Sequence, residues 1–379
     1  MRIGVDIRCL MDGGRTGVEE YTTNVLHAML KQGNEDTFVL FANSRKPMAL
    51  PQFSAPNVEL KTFAYPNKIF NTSLKLFRWP KLDDMLGGVD VLFVPSVRLA
   101  PCTSKTPLVV TFHDLSFVRH ANYFSAKRRL WHRVMEPKKI AQRATKIIAV
   151  SGTTADDLKE LYNIDENKIQ VIHSGISDNI KRVEADSEEV KRAKERYNLP
   201  ESYILFLGTI EPRKNLDGLL SSYTVARRAG ITQKLVIAGV RGWVSKDFYE
   251  RASRHPFAKD IIFTGYVTDE DKSALYSMAD LFVYPSFYEG FGFPPLEAIL
   301  CGTPVITSFN SAIPEIVGRW ATLINPYDPD ELGWTIVQKI RNPMPVSETS
   351  INEIRDKYNW ARAGAETLGA LRSSATINE

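Results

Sequence analysis

Cysteine is scarce in this chain, with three among 379 residues: Cys9, Cys102 and Cys301. They match no metal-ligand spacing and make no disulfide framework, so reduced thiols and a cytoplasmic setting are expected. Long apolar runs are missing as well. None approaches the roughly 20 residues that cross a bilayer. The opening Met1-Arg-Ile-Gly-Val-Asp6 reads as a strand and lacks the longer apolar centre of a signal peptide. No nucleophile-elbow pattern supports Ser/His/Asp chemistry, and no glycine loop ends in the Lys-Ser/Thr of a P-loop. Asp328-Pro-Asp330 formally matches an Asp-x-Asp cation motif, but it precedes Glu331-Leu-Gly-Trp and reads better as a helix cap. No other cluster asks for a metal, and neither metal nor cofactor is expected.

What is present is ordinary for a soluble globular protein: 44% hydrophobic and 24% charged residues, in a chain long enough for two cores. Net charge is only +4, yet residues 1–180 carry 24 Lys+Arg against 18 Asp+Glu, and residues 181–379 carry 24 against 26. Much of the first excess lies between Phe124 and Lys146, with eight basic residues and one acidic. From Lys127 to Lys146 this stretch can attract an anionic membrane surface or a phosphate-bearing acceptor, or it can be a solvated helical face. Nucleic acid is not expected, since no binding motif accompanies the charge.

Short apolar segments alternate with amphipathic ones along the chain. In the first half the strands are expected at Arg2–Ile7, Thr37–Phe41, Val91–Val94, Leu108–Thr111, Ile147–Ser151 and Ile169–Ile176, with a helix near Glu19–Lys31. Composition turns charged and loses its apolar period between about Ser177 and Leu199, which reads as an interdomain connection. A second series starts at Tyr203–Gly208 and continues through Lys234–Gly239, Ile261–Gly265, Leu281–Tyr284 and Pro304–Thr307. The expected fold class is α/β, with two doubly wound, Rossmann-like parallel-sheet domains facing a cleft: 1–178 and 179–357.

In such folds ligands bind beyond the carboxyl ends of the strands, and the chemically distinctive residues fall there. Phe287-Tyr-Glu-Gly-Phe-Gly-Phe-Pro-Pro-Leu-Glu297 sets Glu289 and Glu297 across a loop that enters a helix started by proline and stopped by Gly302. Gly290 and Gly292 allow close backbone approach, so amides around Phe291 and Phe293 can donate to hydroxyl or phosphate oxygens. Two capping or solvated glutamates would explain the same spacing. Arg213 and Lys214 suit a diphosphate leaving group, although adjacent exposed cations are common. Gly13, Gly14 and Gly17 sit between a strand and a helix, where glycine amides can meet an anion or simply turn the chain. His113 follows a strand and can serve a sugar hydroxyl or a structural hydrogen bond.

Glu289-Gly-Phe-Gly-Phe-Pro-Pro-Leu-Glu297-Ala-Ile-Leu-Cys-Gly-Thr-Pro-Val-Ile306 resembles the Glu-x7-Glu segment of the retaining, nucleotide-sugar-dependent glycosyltransferases of family 4, which have GT-B architecture. Gly208-Thr-Ile-Glu-Pro-Arg-Lys-Asn-Leu216, Gly265-Tyr-Val267, Ala279–Ser286 and Pro314-Glu-Ile-Val317 support the match in the family's order. The resemblance implies that Glu289 contacts the donor sugar's hydroxyls, aided by amides from Phe291 through Gly292 to Phe293, and that Glu297 holds the ribose. It implies Arg213 and Lys214 on the diphosphate with amides of Gly14 to Gly17, Val267 on the base through its backbone, and His113 beside the transferred sugar. One departure stands out: many members carry an arginine five residues before the lysine matched by Lys214, and here that position is Thr209. The family's chemistry is front-face transfer with retention, without a metal or an enzyme nucleophile. The terminal segment, about 358–379, resembles the family's helix that crosses back to the first domain and tethers a hinge.

The implied enzyme is a hexosyltransferase that builds cell-surface polysaccharide on a glycan or lipid-linked acceptor, in the cytoplasm or peripherally on the inner face of the membrane. The wording around its motifs is nearest to bacterial mannosyltransferases, making GDP-mannose the first donor to consider. The alternatives are a nucleotide-sugar 2-epimerase or phosphorylase of the same architecture, or a non-catalytic nucleotide- or glycan-binding module.

Overall fold

The computed structural model describes the chain except for residues 12–16, 46–50, 52, 54, 243–245 and 377–379. It divides into two compact units. The first comprises Met1–Ala121, Ser125–Gly175 and Tyr358–Glu379, and the second Asn122–Phe124 and Ile176–Lys357.

The first unit is built on a 7-stranded parallel sheet of β1 (Arg2–Asp6), β2 (Thr37–Asn43), β3 (Val58–Phe63), β4 (Val91–Val94), β5 (Leu108–Phe112), β6 (Lys146–Ala149) and β7 (Ile169–Val171), in the order β3-β2-β1-β4-β5-β6-β7. Central strands such as β4 and β5 are apolar and buried along their whole length, because helices cover both faces. The helix Gly17–Gln32 buries Tyr21, Val25, Leu26 and Met29. The chain's last helix, Trp360–Ala375, packs against it, and close approach is possible because Gly364 faces Ala28 where a Cβ would come within 2.6 Å. Polar ties from Gln32 Nε2 to the Ala361 carbonyl and from Arg372 to Asp36, at 2.7 and 2.8 Å, fix the pairing.

The second unit carries a 6-stranded parallel sheet of β8 (Tyr203–Leu207), β9 (Lys234–Ala238), β10 (Ile261–Gly265), β11 (Leu281–Tyr284), β12 (Val305–Ser308) and β13 (Thr322–Ile324), in the order β10-β9-β8-β11-β12-β13. The two sheets bear out the expected pair of doubly wound domains. The charged stretch read as a plain connection holds a helix, Glu188–Tyr197, capped by the Ser187 side chain. Only Val190, Ala193 and Tyr197 of it are buried, too narrow a stripe to register as apolar periodicity. The strand expected at Ile169–Ile176 ends at Val171, and β3 and β13 were not anticipated.

Candidate functional site

A dense polar cluster of the second unit forms where β8 and β11 end side by side. After β8 the chain runs through Glu211 into a short 3-10 turn, Pro212–Lys214. Asn215, at φ 55°, then caps the helix Leu216–Arg228, accepting from the Gly218 amide and donating to the Pro326 carbonyl. After β11 the loop 285–292 leads into the helix Phe293–Leu300, whose first turn holds Pro294 and Pro295 and whose cap is Gly292. Gly292 has φ 103°, a conformation that favours glycine, and a Cβ there would lie 2.7 Å from Ile313 Cδ1, a side-chain end that would have to shift.

These two loops bring Arg213, Lys214 and Glu289 together. Arg213 Nη1 donates to Glu289 Oε2 at 2.8 Å, and Lys214 Nζ to Oε1 at 2.6 Å. The Ser286 hydroxyl also donates to Oε1, at 2.5 Å. Arg213 also reaches Glu211, 2.8 Å away, and the Tyr288 carbonyl, while Lys214 also meets the Tyr284 hydroxyl. The loop is pinned from behind by Phe287 N–H to the Arg213 carbonyl, Asn310 to the Phe287 carbonyl, and Glu289 N–H to Ser311 Oγ.

Burial sets the electrostatics. Glu289 is 7% exposed and Lys214 also 7%. Burial alone would raise the Glu289 carboxyl, but Arg213 and Lys214 overcome it and bring the pKa down to about 2. Lys214 is pushed below the ordinary lysine value by burial and by Arg213, with Glu289 and Glu211 opposing. The solvated-pair alternative for Arg213 and Lys214 is therefore excluded: they are part of a buried network of two cations and two carboxylates. Sequence reading passed over Glu211, although it lies in the segment that flagged Arg213.

Glu297 stands on the helix Phe293–Leu300, 3% exposed, and accepts from the Tyr276 hydroxyl at 2.8 Å, so it is anchored apart from the Glu289 network. Phe293 opens that helix, which places its N–H among the end amides without an intrahelical acceptor. Phe291 is buried and its ring packs 4.9 Å from that of Phe293. Val267 follows β10, 5% exposed.

His113 belongs to the first unit, directly after β5. Its Nε2 lies 2.8 Å from the Pro95 carbonyl, which only a protonated ring nitrogen can satisfy, so this nitrogen carries the hydrogen. Burial pushes its pKa below the ordinary histidine value, which keeps the ring neutral at pH 7. Tyr21 meets it edge-on at 4.7 Å. Asp114, its neighbour, instead accepts from the Ser116 amide and hydroxyl. Gly17 opens the helix Gly17–Gln32, whereas Gly13 and Gly14 lie outside the described residues.

The basic stretch is two helices rather than one, Ala126–Met135 and Pro137–Arg143, broken at Glu136 with φ 51°. The first exposes Lys127, Arg128, Arg129 and Arg133 together with Leu130 and Trp131. Beside it the helix Asn67–Leu76 and the residues after it expose Ile69, Leu76, Phe77 and Trp79. Lys75 and Arg78 of that segment are near enough to act on Glu136. Among the described residues no helix is long and apolar enough to cross a membrane, and no group of three His, Cys, Asp or Glu residues could hold a metal ion. Asp328 accepts from the Asp330 and Glu331 amides, as a cap does. All three cysteines are buried thiols outside any disulfide.

Two family models match: "Glycosyltransferase Family 4" over residues 15–179 and "Glycosyl transferases group 1" over 187–357. The O-antigen chain mannosyltransferase B of Escherichia coli is 32% identical over 269 residues, covering 70% of each chain. The serotype-specific mannosyltransferase WbdA of Escherichia coli is 30% identical over 226 residues, 58% of this chain but only 28% of that longer protein. Sucrose-phosphate synthase from Thermosynechococcus elongatus shares the fold, with a TM-score of 0.77 at 18% identity and 99% of each chain covered. With two such sheets and a family model matched to each half, this chain is an enzyme of the group 1 glycosyltransferases, family 4, with GT-B architecture.

Proposed function

We propose that the enzyme transfers mannose from a nucleoside diphosphate sugar, GDP-mannose first, to a glycan or lipid-linked acceptor during synthesis of a cell-surface polysaccharide, with retention and without a metal. The observation that carries the donor site is the buried Arg213–Lys214–Glu289 network, and likeness to the O-antigen mannosyltransferase supports the choice of sugar. The second unit is the donor domain. Glu289, ionised and rigidly held, accepts hydrogen bonds from sugar hydroxyls; Arg213 and Lys214 neutralise the diphosphate; Glu297 takes the ribose and the backbone at Val267 the base. Amides at Gly292 and Phe293, at a helix N-terminus, add partial positive charge. The first unit is the acceptor domain, where His113, neutral, positions the reacting hydroxyl or sugar, and Gly17, at a helix start, contributes its amide to the diphosphate.

In the reaction the bond from sugar C1 to the diphosphate oxygen breaks and a bond from C1 to the acceptor hydroxyl oxygen forms on the same face. The hydroxyl proton passes to the departing phosphate. The protein's share is alignment, exclusion of water and stabilisation of departing charge. The exposed basic and apolar side chains around Lys127–Trp131 hold the enzyme peripherally on an anionic cytoplasmic membrane face.

A thermal-shift panel of GDP, UDP, ADP and their sugars tests the donor, since a ligand of the folded state raises its stability. The largest shift is expected for the GDP series. Turnover with GDP-mannose should then survive a chelator and give an α-linked product by NMR; a β-linked product, or activity lost on chelation, sinks the mechanism.

A further inference from the structure

The strand order β10-β9-β8-β11 sets the loop after β9 between the β8 loop, which holds Arg213 and Lys214, and the β10 loop, which holds Val267. That middle loop is Gly239-Val-Arg-Gly242, and backbone bonds stitch it to both neighbours. Ile210 N–H donates to the Val240 carbonyl and Gly242 N–H to the Ile210 carbonyl, each at 3.0 Å, while Gly239 N–H donates to the Gly265 carbonyl at 2.8 Å. Gly239, at φ 137°, lies so close to the β8 loop that a Cβ would stand 1.9 Å from the Gly208 carbonyl oxygen. The backbone of Arg241 is therefore fixed at the rim where open parallel sheets take their ligands.

The Arg241 side chain is held as well, but not by a counter-ion. Its guanidinium lies 4.3 Å over the ring of Tyr249, on the helix Lys246–Ser253, and that ring in turn packs 5.0 Å from Phe263 of β10. Among the described residues no side chain or carbonyl accepts a hydrogen bond from it. Arg213 and Arg227, by contrast, are bound to Glu211 and Glu289 and to Asp260. Arg241 is thus an exposed planar fork of donors, steadied against an aromatic ring, and it suits a ligand edge that carries two adjacent acceptors. Among guanine, adenine and uracil, guanine alone has such an edge, O6 beside N7. Adenine puts the N6 amino group, a donor, where guanine has O6, and uracil has O4 with no ring-nitrogen acceptor beside it.

We infer that Arg241 reads the base of the donor, donating to O6 and N7 of guanine, and that this contact selects guanosine diphosphate sugars over those of adenosine and uridine. The inference rests on the donor-domain reading above. It adds a side chain that tells one base from another, which a backbone contact at Val267 does not do.

Titration calorimetry on the full chain tests this with GDP, ADP, UDP and two edited bases: inosine diphosphate, which keeps O6 and N7 but lacks the 2-amino group, and 7-deaza-GDP, which lacks N7. The wild type is expected to bind GDP and inosine diphosphate alike and the other three about tenfold more weakly, the worth of one bidentate pair. In Arg241→Gln the advantage of GDP over 7-deaza-GDP should vanish while the affinities for ADP and UDP stay where they were. Arg241→Lys, which keeps the charge without the fork, should not restore that advantage. Circular dichroism checks that both variants, at an exposed position, are folded. The inference is overturned by a wild type that binds 7-deaza-GDP as well as GDP, or by an advantage of GDP that survives Arg241→Gln. An equal loss of all five nucleotides in that variant, as a general attraction for phosphate would give, overturns it too. Failure of the donor reading shows separately, as a wild type that binds none of the five or whose GDP affinity does not respond to Arg213→Gln.

Discussion

Replacing Glu289 by glutamine keeps the shape of the side chain and removes one charge from a network that has none to spare. In the wild type the carboxylate receives Arg213, Lys214 and Ser286 at 2.8, 2.6 and 2.5 Å. Its pKa falls from an ordinary 4.5 to about 2. At about 1.4 kcal/mol per tenfold change in proton affinity, the folded state gains roughly 3 kcal/mol from ionising this group. Because the folded value is depressed, that contribution is complete above the unfolded value near 4.5 and is lost as pH falls from about 5 towards 2. Glu289→Gln should therefore cost about 3 kcal/mol at pH 7, within the range for breaking a buried ion pair. It should also flatten the wild type's decline between pH 5 and 3. Lys214 adds a second signature: without its carboxylate it sheds its proton more readily, so the variant should recover stability as pH rises. Hydrogen exchange at β11 amides follows the second unit alone. Equal protection in both proteins at pH 7, with the same fall towards pH 3, would refute the reasoning.

Three further outcomes are expected. Glu211→Gln leaves the network with net positive charge, so the unliganded protein should melt earlier while its stabilisation by GDP exceeds that of the wild type in a thermal-shift assay; a smaller nucleotide shift argues against Arg213 as a diphosphate ligand. Gly292→Ala should lower stability by about 2 kcal/mol in urea unfolding, because a side chain at φ 103° is strained and its Cβ would meet Ile313. Changing Lys127, Arg128 and Arg129 together to glutamine should weaken cosedimentation with anionic vesicles by about 3 kcal/mol, near 1 kcal/mol per cation, and unchanged binding would place the membrane contact elsewhere or nowhere.

The fold was legible where burial was uniform. β4, β5, β8, β9 and β11 are short apolar runs buried almost throughout, and they stand out against any background. β3 did not, because Val-Glu-Leu-Lys-Thr-Phe lies at a sheet edge and is only partly buried. The helix Glu188–Tyr197 hid for another reason. It is held as much by charge as by its three buried side chains: Arg192 and Arg196 both reach Asp271, whose carboxylate also accepts from Tyr197. An ion-paired helix looks in sequence like a linker, since its partner lies far along the chain.

The same limit governs the site. Spacing drew attention to Glu289 and to Arg213–Lys214 separately, but the bonds joining them span 75 and 76 residues, beyond what local pattern can report. What the geometry adds is charge balance. Arg213 and Lys214 are already matched by Glu211 and Glu289, so on the proposed donor reading a diphosphate would not meet two idle cations; it would share them. On that reading a sugar hydroxyl donating to Glu289 would spread the carboxylate's charge and loosen its hold on Lys214, freeing the lysine for the phosphate. Donor sugar and donor phosphate would then help each other bind. With Thr209 where many family members have arginine, this exchange carries more of the diphosphate's charge than it would if a third cation stood by, and a bare nucleoside diphosphate should gain less from the site than the complete donor does.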